Sequence, residues 1–161
     1  MLDRPRTVPQ EDGDRLAEIL RAHAGRAGAL LPILHEVQAA YGHVDDAMVP
    51  PIAEALNVSR AEVHGVLTFY HDFRRTPAGH HVIKLCAAEA CQARGGRGLA
   101  QAAAHRLRTP MGTTRGDGLV TLEPVYCLGL CSVAPAAMVD GTIHGRLDGP
   151  GLETLLSEIE P

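Results

Sequence analysis

Apolar residues recur at helical spacing through the first half of the chain. Leu16, Ile19 and Leu20 form one short stripe, closed by Gly25 and Gly28. Leu31, Leu34, Val37, Gln38 and Tyr41 form the next, which Gly42 stops; Pro32 falls in its first turn, where a missing N–H costs little. Val49, Ile52, Ala53 and Leu56 mark a third helix, with Pro50 and Pro51 tolerable only in its first turn and Asn57-Val-Ser59 as its break. Ser59-Arg-Ala-Glu62 is a capping-box pattern, and Val63, Val66, Leu67 and Tyr70 give the fourth helix its apolar face. The pattern predicts four short helices over 13–75, after a polar, Pro-containing flexible tail over 1–12. Tyr70 reads as core, and Phe69 or Phe73 as an interface anchor.

The period changes after the turn Thr76-Pro-Ala-Gly79. His80–Leu85 reads as a strand, and a helix follows over roughly Arg97 to Leu107, with Leu99, Ala103 and Leu107 on one face. Gly112 to Gly118 reads as a loop and Leu119–Val125 as the next strand. Ala136–Val139, the turn Asp140-Gly141 and Thr142–Leu147 make a hairpin. Leu152, Leu155, Leu156 and Ile159 stripe a last helix. The order over 76–161 is therefore β-α-β-β-β-α. A strand–helix–strand connection favours a parallel pair, and the hairpin adds an antiparallel one. The expected fold class is α/β, with an N-terminal helical bundle followed by a thioredoxin-like layer of helices on a mixed sheet.

Composition narrows the function. The chain has 161 residues, 45% of them apolar but only 3% aromatic, so its core must be Leu, Ile, Val and Ala. A net charge of −4 argues against nucleic-acid binding through phosphate neutralisation. The longest apolar run, Ala27 to Leu34, is far short of the roughly 20 residues a spanning helix needs, so no membrane insertion is expected. Met1-Leu-Asp-Arg-Pro-Arg lacks the apolar stretch of a secretory signal, and the expected location is the cytoplasm. In a reducing compartment, cysteines point to metal or redox chemistry before structural disulfides.

There are four cysteines, in two pairs: Cys86-Ala-Ala-Glu-Ala-Cys91 and Cys127-Leu-Gly-Leu-Cys131. Each pair follows a predicted strand, so two loops at strand ends can bring four thiolates to one point. Four thiolates suit two irons bridged by two sulfides, a centre with net negative charge that needs N–H donors and cations around it. The expected sources are the N-terminus of a helix starting just after Cys91, close backbone approach at Gly95, Gly96 and Gly129, and the charges of Lys84, Arg94 and Arg97. The alternatives are a zinc-stapled structural or adaptor module, although structural zinc usually takes C-x₂-C knuckles, and four buried cysteines with no cofactor. A dithiol oxidoreductase would need C-x-x-C, which is absent.

The flanks carry a resemblance. C-x₄-C, then Cys127-Leu-Gly-Leu-Cys131 with Ala134-Pro135 just after, resembles the thioredoxin-like [2Fe–2S] subunit family. That family includes the small flavin-proximal subunit of respiratory complex I and its counterparts in NAD-linked hydrogenases and formate dehydrogenases. Leu31-Pro-Ile-Leu-His-Glu-Val-Gln38 and Val63 through Phe73 match as well. Ser59–Val66, Phe69-Tyr-His-Asp-Phe-Arg74 and Ala88-Glu-Ala-Cys-Gln92 look most like the gamma subunit of an NAD-dependent formate dehydrogenase. The resemblance implies a [2Fe–2S] cluster on Cys86, Cys91, Cys127 and Cys131. It also implies a one-electron relay beside a larger FMN- and NAD-binding subunit of an oxidoreductase, with no catalytic residue on this chain. Gly95-Gly-Arg-Gly98 lacks the G-x-G-x-x-G spacing, so no nicotinamide site is expected here.

Histidines add less. His80 and His81 precede Cys86 and offer a mixed Cys/His site; with four cysteines present they read as strand-end residues, and His64 and His71 as helix-surface or core residues. Ala134-Pro135 matches the cis-proline position of thioredoxin-like folds and is expected cis.

Overall fold

The apolar stripes of the first half become α1 (Gln10–Ala22), α2 (Leu30–Tyr41), α3 (Val49–Leu56) and α4 (Arg60–Phe69), with a 3₁₀ turn at Asp46–Met48. The computed structural model describes residues 10–159. The chain divides into two units, one up to Pro77 and the other from Ala78. α1 begins at Gln10, inside the stretch expected as a tail over 1–12. The remainder of that tail lies outside the described residues.

The first unit closes on Leu16, Ile33, Leu34, Val37, Ile52, Val63 and Leu67, all buried. Each such side chain contributes about 1.5–3 kcal/mol by leaving water. Gln38 ties the end of the unit back to α2. Its Nε2 donates to the Asp72 carbonyl at 2.7 Å, and its Oε1 accepts from the Arg74 amide at 2.6 Å. Tyr70 is not core: α4 ends at Phe69, Tyr70 is extended, and its ring is exposed. The helical phase that would have turned it inward stops one residue earlier. Phe73 is no interface anchor, because the turn after α4 folds it into the core, where its ring lies 5.0 Å from that of His35. Phe69 remains exposed.

The second unit holds β1 (His81–Cys86), α5 (Glu89–Ala93), α6 (Gly96–Leu107), β2 (Thr113–Thr114), β3 (Val120–Val125), β4 (Ala137–Val139), β5 (Thr142–His144) and α7 (Gly149–Ile159). The five strands lie in the order β2-β3-β1-β4-β5. β1 and β3 are parallel, with His81 opposite Val120 and Cys86 opposite Val125; β2–β3, β1–β4 and β4–β5 are antiparallel. This is the expected mixed sheet. Ile83, Leu85, Val120 and Leu122 pack with Ala103 and Leu107 of α6 and Leu152, Leu156 and Ile159 of α7. No helix among the described residues is long and apolar enough to cross a membrane.

Two local differences stand out. The expected loop over 112–118 carries β2, an edge strand held by pairing to β3. The hairpin's second strand stops at His144 rather than Leu147. There the chain leaves the sheet, as the Arg146 amide bonds the Val133 carbonyl and the Leu147 amide bonds that of Pro135. Asp140 and Gly141 both have positive φ, as a two-residue hairpin turn of this twist requires. The Ala134–Pro135 peptide is cis.

Candidate metal centre

Parallel pairing decides where the cysteines go. β1 ends at Cys86 and β3 ends at Val125, directly opposite, so the loops that follow both strands leave from the same edge of the sheet. In α/β sheets this carboxyl edge is where ligands are bound. β4 runs antiparallel beside β1, with Ala137 opposite Leu85, so the segment before it, containing the 3₁₀ turn Cys131–Val133 and Pro135, reaches that edge as well. The amide of Cys86 bonds the Ala136 carbonyl at 3.0 Å and that of Ala87 bonds the Val125 carbonyl at 2.8 Å, locking the edge together.

The thiols meet there as two pairs. Cys86 and Cys91 are buried together with Ala134 and Ala136. Cys127 and Cys131 are exposed, with their sulfurs 4.0 Å apart. Cys131 is within electrostatic reach of Cys86 and Cys91. Among the described residues, no three His, Cys, Asp or Glu side chains stand close enough together to hold a single metal ion. A tetrahedral zinc would draw all four sulfurs to about 3.8 Å from one another. A close Cys127–Cys131 pair beside the buried Cys86 and Cys91 fits a centre of two metals, with two thiolates for each.

Backbone amides supply the polarity. Burial pushes the Cys86 thiol up. Hydrogen bonds from the Ala88 amide, the Cys91 side chain and the amides of Leu128 and Cys127 outweigh it, and Cys86 stands below its ordinary value. The second cysteine loop therefore bears on the thiol of the first. Burial and the hydrogen bond with Cys86 hold Cys91 above its ordinary value, against the pull of the Ala136 amide. The neighbouring Cys127 thiol and its charge raise Cys131. The Gly129 amide donates to the Cys127 sulfur at 3.3 Å. Four thiols with amide donors directed at them are a donor set that fits an anionic iron–sulfur group.

The expected sources of positive charge are revised. No helix starts just after Cys91, because Cys91 is itself the third residue of the short α5, and α6 starts only at Gly96. Gly96 is where close approach matters: a β-carbon there would lie 2.7 Å from the Cys91 carbonyl oxygen. Gly129 serves otherwise, through its φ of +75°, with open space beside it. Arg94 and Arg97 are exposed, and the leading influences on Cys86, Cys91 and Cys131 are burial, amides and thiols rather than Lys84 or either arginine. His80 is exposed, and His81 holds Asp140 through Nδ1 at 2.7 Å. His81 opens β1, about 16 Å along the strand from Cys86, and His80 precedes it. His64 is half-buried and His71 exposed, both in the first unit. Sequence reasoning missed the amides, which carry no residue signature, and Tyr126, whose exposure comes from the loop's backbone path.

A family model described as thioredoxin-like [2Fe–2S] ferredoxin matches residues 16–160. The chain belongs to that family. The cofactor of this thioredoxin-like ferredoxin is a [2Fe–2S] cluster, which accepts and returns one electron at a time. It is similar to a subunit of the NADH-quinone oxidoreductase of Pseudomonas aeruginosa, with 38% identity over 128 residues, covering 80% of this chain and 77% of that protein. It is also similar to the HndA component of the NADP-reducing hydrogenase of Solidesulfovibrio fructosivorans, with 26% identity, covering 94% of this chain and 88% of that one. Its fold matches the crystal structure of an NAD⁺-reducing [NiFe]-hydrogenase in the H₂-reduced state, with a TM-score of 0.72 and 25% identity over 83% of this chain. The matched region is 22% of that longer hydrogenase chain.

Proposed function

We propose that this chain is the one-electron relay subunit of an NADH-oxidising, multi-subunit oxidoreductase of the complex I and hydrogenase type. Cys86 and Cys91 bind one iron of its cluster, and Cys127 and Cys131 the other. The observation that carries this reading is the convergence of the two cysteine pairs at the carboxyl edge of parallel β1 and β3. The named roles of the relatives support the parent assembly, a quinone-linked NADH oxidoreductase in one case and an NADP-linked hydrogenase in the other.

The partner is a larger cytoplasmic subunit that binds FMN and NAD. A nicotinamide gives up two electrons together as a hydride, whereas this site takes one, so a flavin must divide the pair. This chain's residues hold the site, shield its inner thiolates and offer it amide donors; they make no bond to substrate. A narrower reading, the gamma subunit of an NAD-dependent formate dehydrogenase, is favoured by Ser59–Val66, Phe69–Arg74 and Ala88–Gln92. The names of the relatives favour the complex I and hydrogenase arm over it.

Absorption and EPR spectra of the anaerobically purified chain, before and after dithionite, test the relay. A brown protein that bleaches and gives a rhombic spin-half signal is expected. A colourless, zinc-loaded protein would overturn the reading. In the complex isolated from cells, that signal is expected to appear on adding NADH; its appearance with formate as well would select the narrower reading.

A further inference from the structure

Charge is unevenly spread along the second unit. From Ala90 to Gly116 the chain holds five arginines and no aspartate or glutamate, within a sequence of net charge −4. Two of the five are answered by carboxylates: Arg106 pairs with Glu153 at 2.9 Å and Arg115 with Asp117 at 2.8 Å. Arg94, Arg97 and Arg108 are exposed, and among the described residues none of them has an ion pair.

These three arginines form a rail along α6. Arg97 and Arg108 lie about three turns, or roughly 16 Å, apart on one side of the helix, and Arg94 stands just before its first turn. Ala103 and Leu107 bury the opposite side. The exposed residues between Arg97 and Arg108 are Gly98, Gln101, Ala102 and His105, so the face offers no large apolar side chain. Permanent interfaces are built on an apolar core, whereas brief redox encounters use smaller contacts and rely on charge. The rail also starts at the metal centre. A β-carbon on Gly96 would lie 2.7 Å from the Cys91 carbonyl oxygen and 3.5 Å from that of Cys86, so the first residue of α6 abuts the backbone of both inner cysteines. Gly95 beside it is exposed. Neither glycine puts a side chain between the surface and the inner pair.

We propose that the arginine rail of α6 is a docking surface for an acidic, mobile one-electron carrier protein, which exchanges an electron with the metal centre past Gly95 and Gly96. The inference rests on the relay reading and adds a second partner to it. Carboxylates on the carrier match the planar guanidinium forks, and opposite charge draws the two proteins together. In the exchange the carrier loses one electron and the site gains it, with no bond made or broken. A contact held by charge alone forms fast and releases fast, as a carrier that comes and goes requires.

The test mixes the oxidised, cluster-loaded chain anaerobically with flavodoxin hydroquinone, an acidic one-electron protein, and follows the flavodoxin semiquinone band by stopped flow. The wild-type rate constant should fall about tenfold or more between about 0.05 and about 0.5 M salt, as screening removes the attraction. Arg97→Glu combined with Arg108→Glu should lower the low-salt rate about tenfold or more and flatten its salt dependence, with iron content and EPR signal unchanged. Arg97→Lys combined with Arg108→Lys keeps the charge and should stay near wild type. Arg26→Glu, a charge reversal at an exposed residue of the first unit, should stay near wild type as well. A double glutamate variant as fast as wild type, or a wild-type rate indifferent to salt, would overturn the proposal. So would loss of the larger subunits when that variant is isolated from cells through a tag, because the rail would then be a permanent interface. A wild-type chain without the EPR signal would instead remove the relay reading, and the carrier site with it.

Discussion

Gly96 lies against Cys91: a β-carbon on Gly96 would sit 2.7 Å from the Cys91 carbonyl oxygen and 3.0 Å from its carbon. The obstacle is backbone, which cannot swing aside as a side-chain tip can. The obstacle belongs to α5, which carries a buried thiol, and Gly96 is the first residue of α6. Gly96→Ala is expected to push these two elements apart, costing about 1–3 kcal/mol as overpacked sites do. The check is a lower thermal midpoint together with less iron per chain than wild type. Gly98→Ala, two residues on with nothing within 4 Å, should match wild type in iron content.

The thiols themselves offer a sharper contrast. Cys91 is buried beside Cys86, whereas His105 lies exposed on α6. Cys91→Ala removes one ligand of the inner pair and is expected to abolish the visible bands and the EPR signal. His105→Ala should leave both as they are. Iron analysis alongside the spectra makes the comparison quantitative, and full iron with an unchanged spectrum in Cys91→Ala would refute the ligand assignment.

What could be read from the sequence was set by local pattern. The helices of both units follow from stripes such as Leu152, Leu156 and Ile159, and the hairpin turn from Asp140-Gly141, because those signals lie within a few residues of the structure they specify. The placing of both cysteine loops at one edge of the sheet is legible too, since a strand–helix–strand connection makes β1 and β3 parallel and puts their ends together. The illegible parts depend on distant partners. β2 exists because Thr113 and Thr114 pair with β3, and Phe73 is buried because Gln38 ties down the chain beside it. Tyr70 failed for a smaller reason, a helix that ends one residue before it.

Thr121 shows how such a distant partner supports the sheet. It is buried in β3, where its hydroxyl oxygen accepts from the Gly79 amide at 2.7 Å and lies 2.8 Å from the Thr114 hydroxyl. One side chain thus fixes the entry to β1 and the edge strand β2 at once. Thr121→Val keeps the shape but leaves both partners without their bond. The expected loss is about 1–3 kcal/mol, the cost of a polar group left unpaired, read as a lower denaturant midpoint. Thr121→Ser keeps the hydroxyl and should recover much of the loss.

The start of α4 makes a prediction about pH. The Ser59 hydroxyl accepts from the Glu62 amide at 3.2 Å, and the Glu62 carboxylate accepts from the Ser59 amide at 2.8 Å and from its hydroxyl at 2.9 Å. These bonds favour the ionised carboxylate, so the Ser59 amide and then its hydroxyl hold Glu62 below its usual value. A carboxyl depressed on folding stabilises fully above its unfolded value, about 4.3, and loses that contribution as pH falls through the lower folded one. The difference in thermal midpoint between wild type and Glu62→Gln should therefore be constant from pH 6 to 8, as an approximate range, and shrink below about pH 4. Ser59→Ala removes the other half of the box and should cost about 1 kcal/mol at neutral pH. A Glu62→Gln difference that grew as the solution was acidified would contradict the depressed carboxyl and the reciprocal cap that produces it.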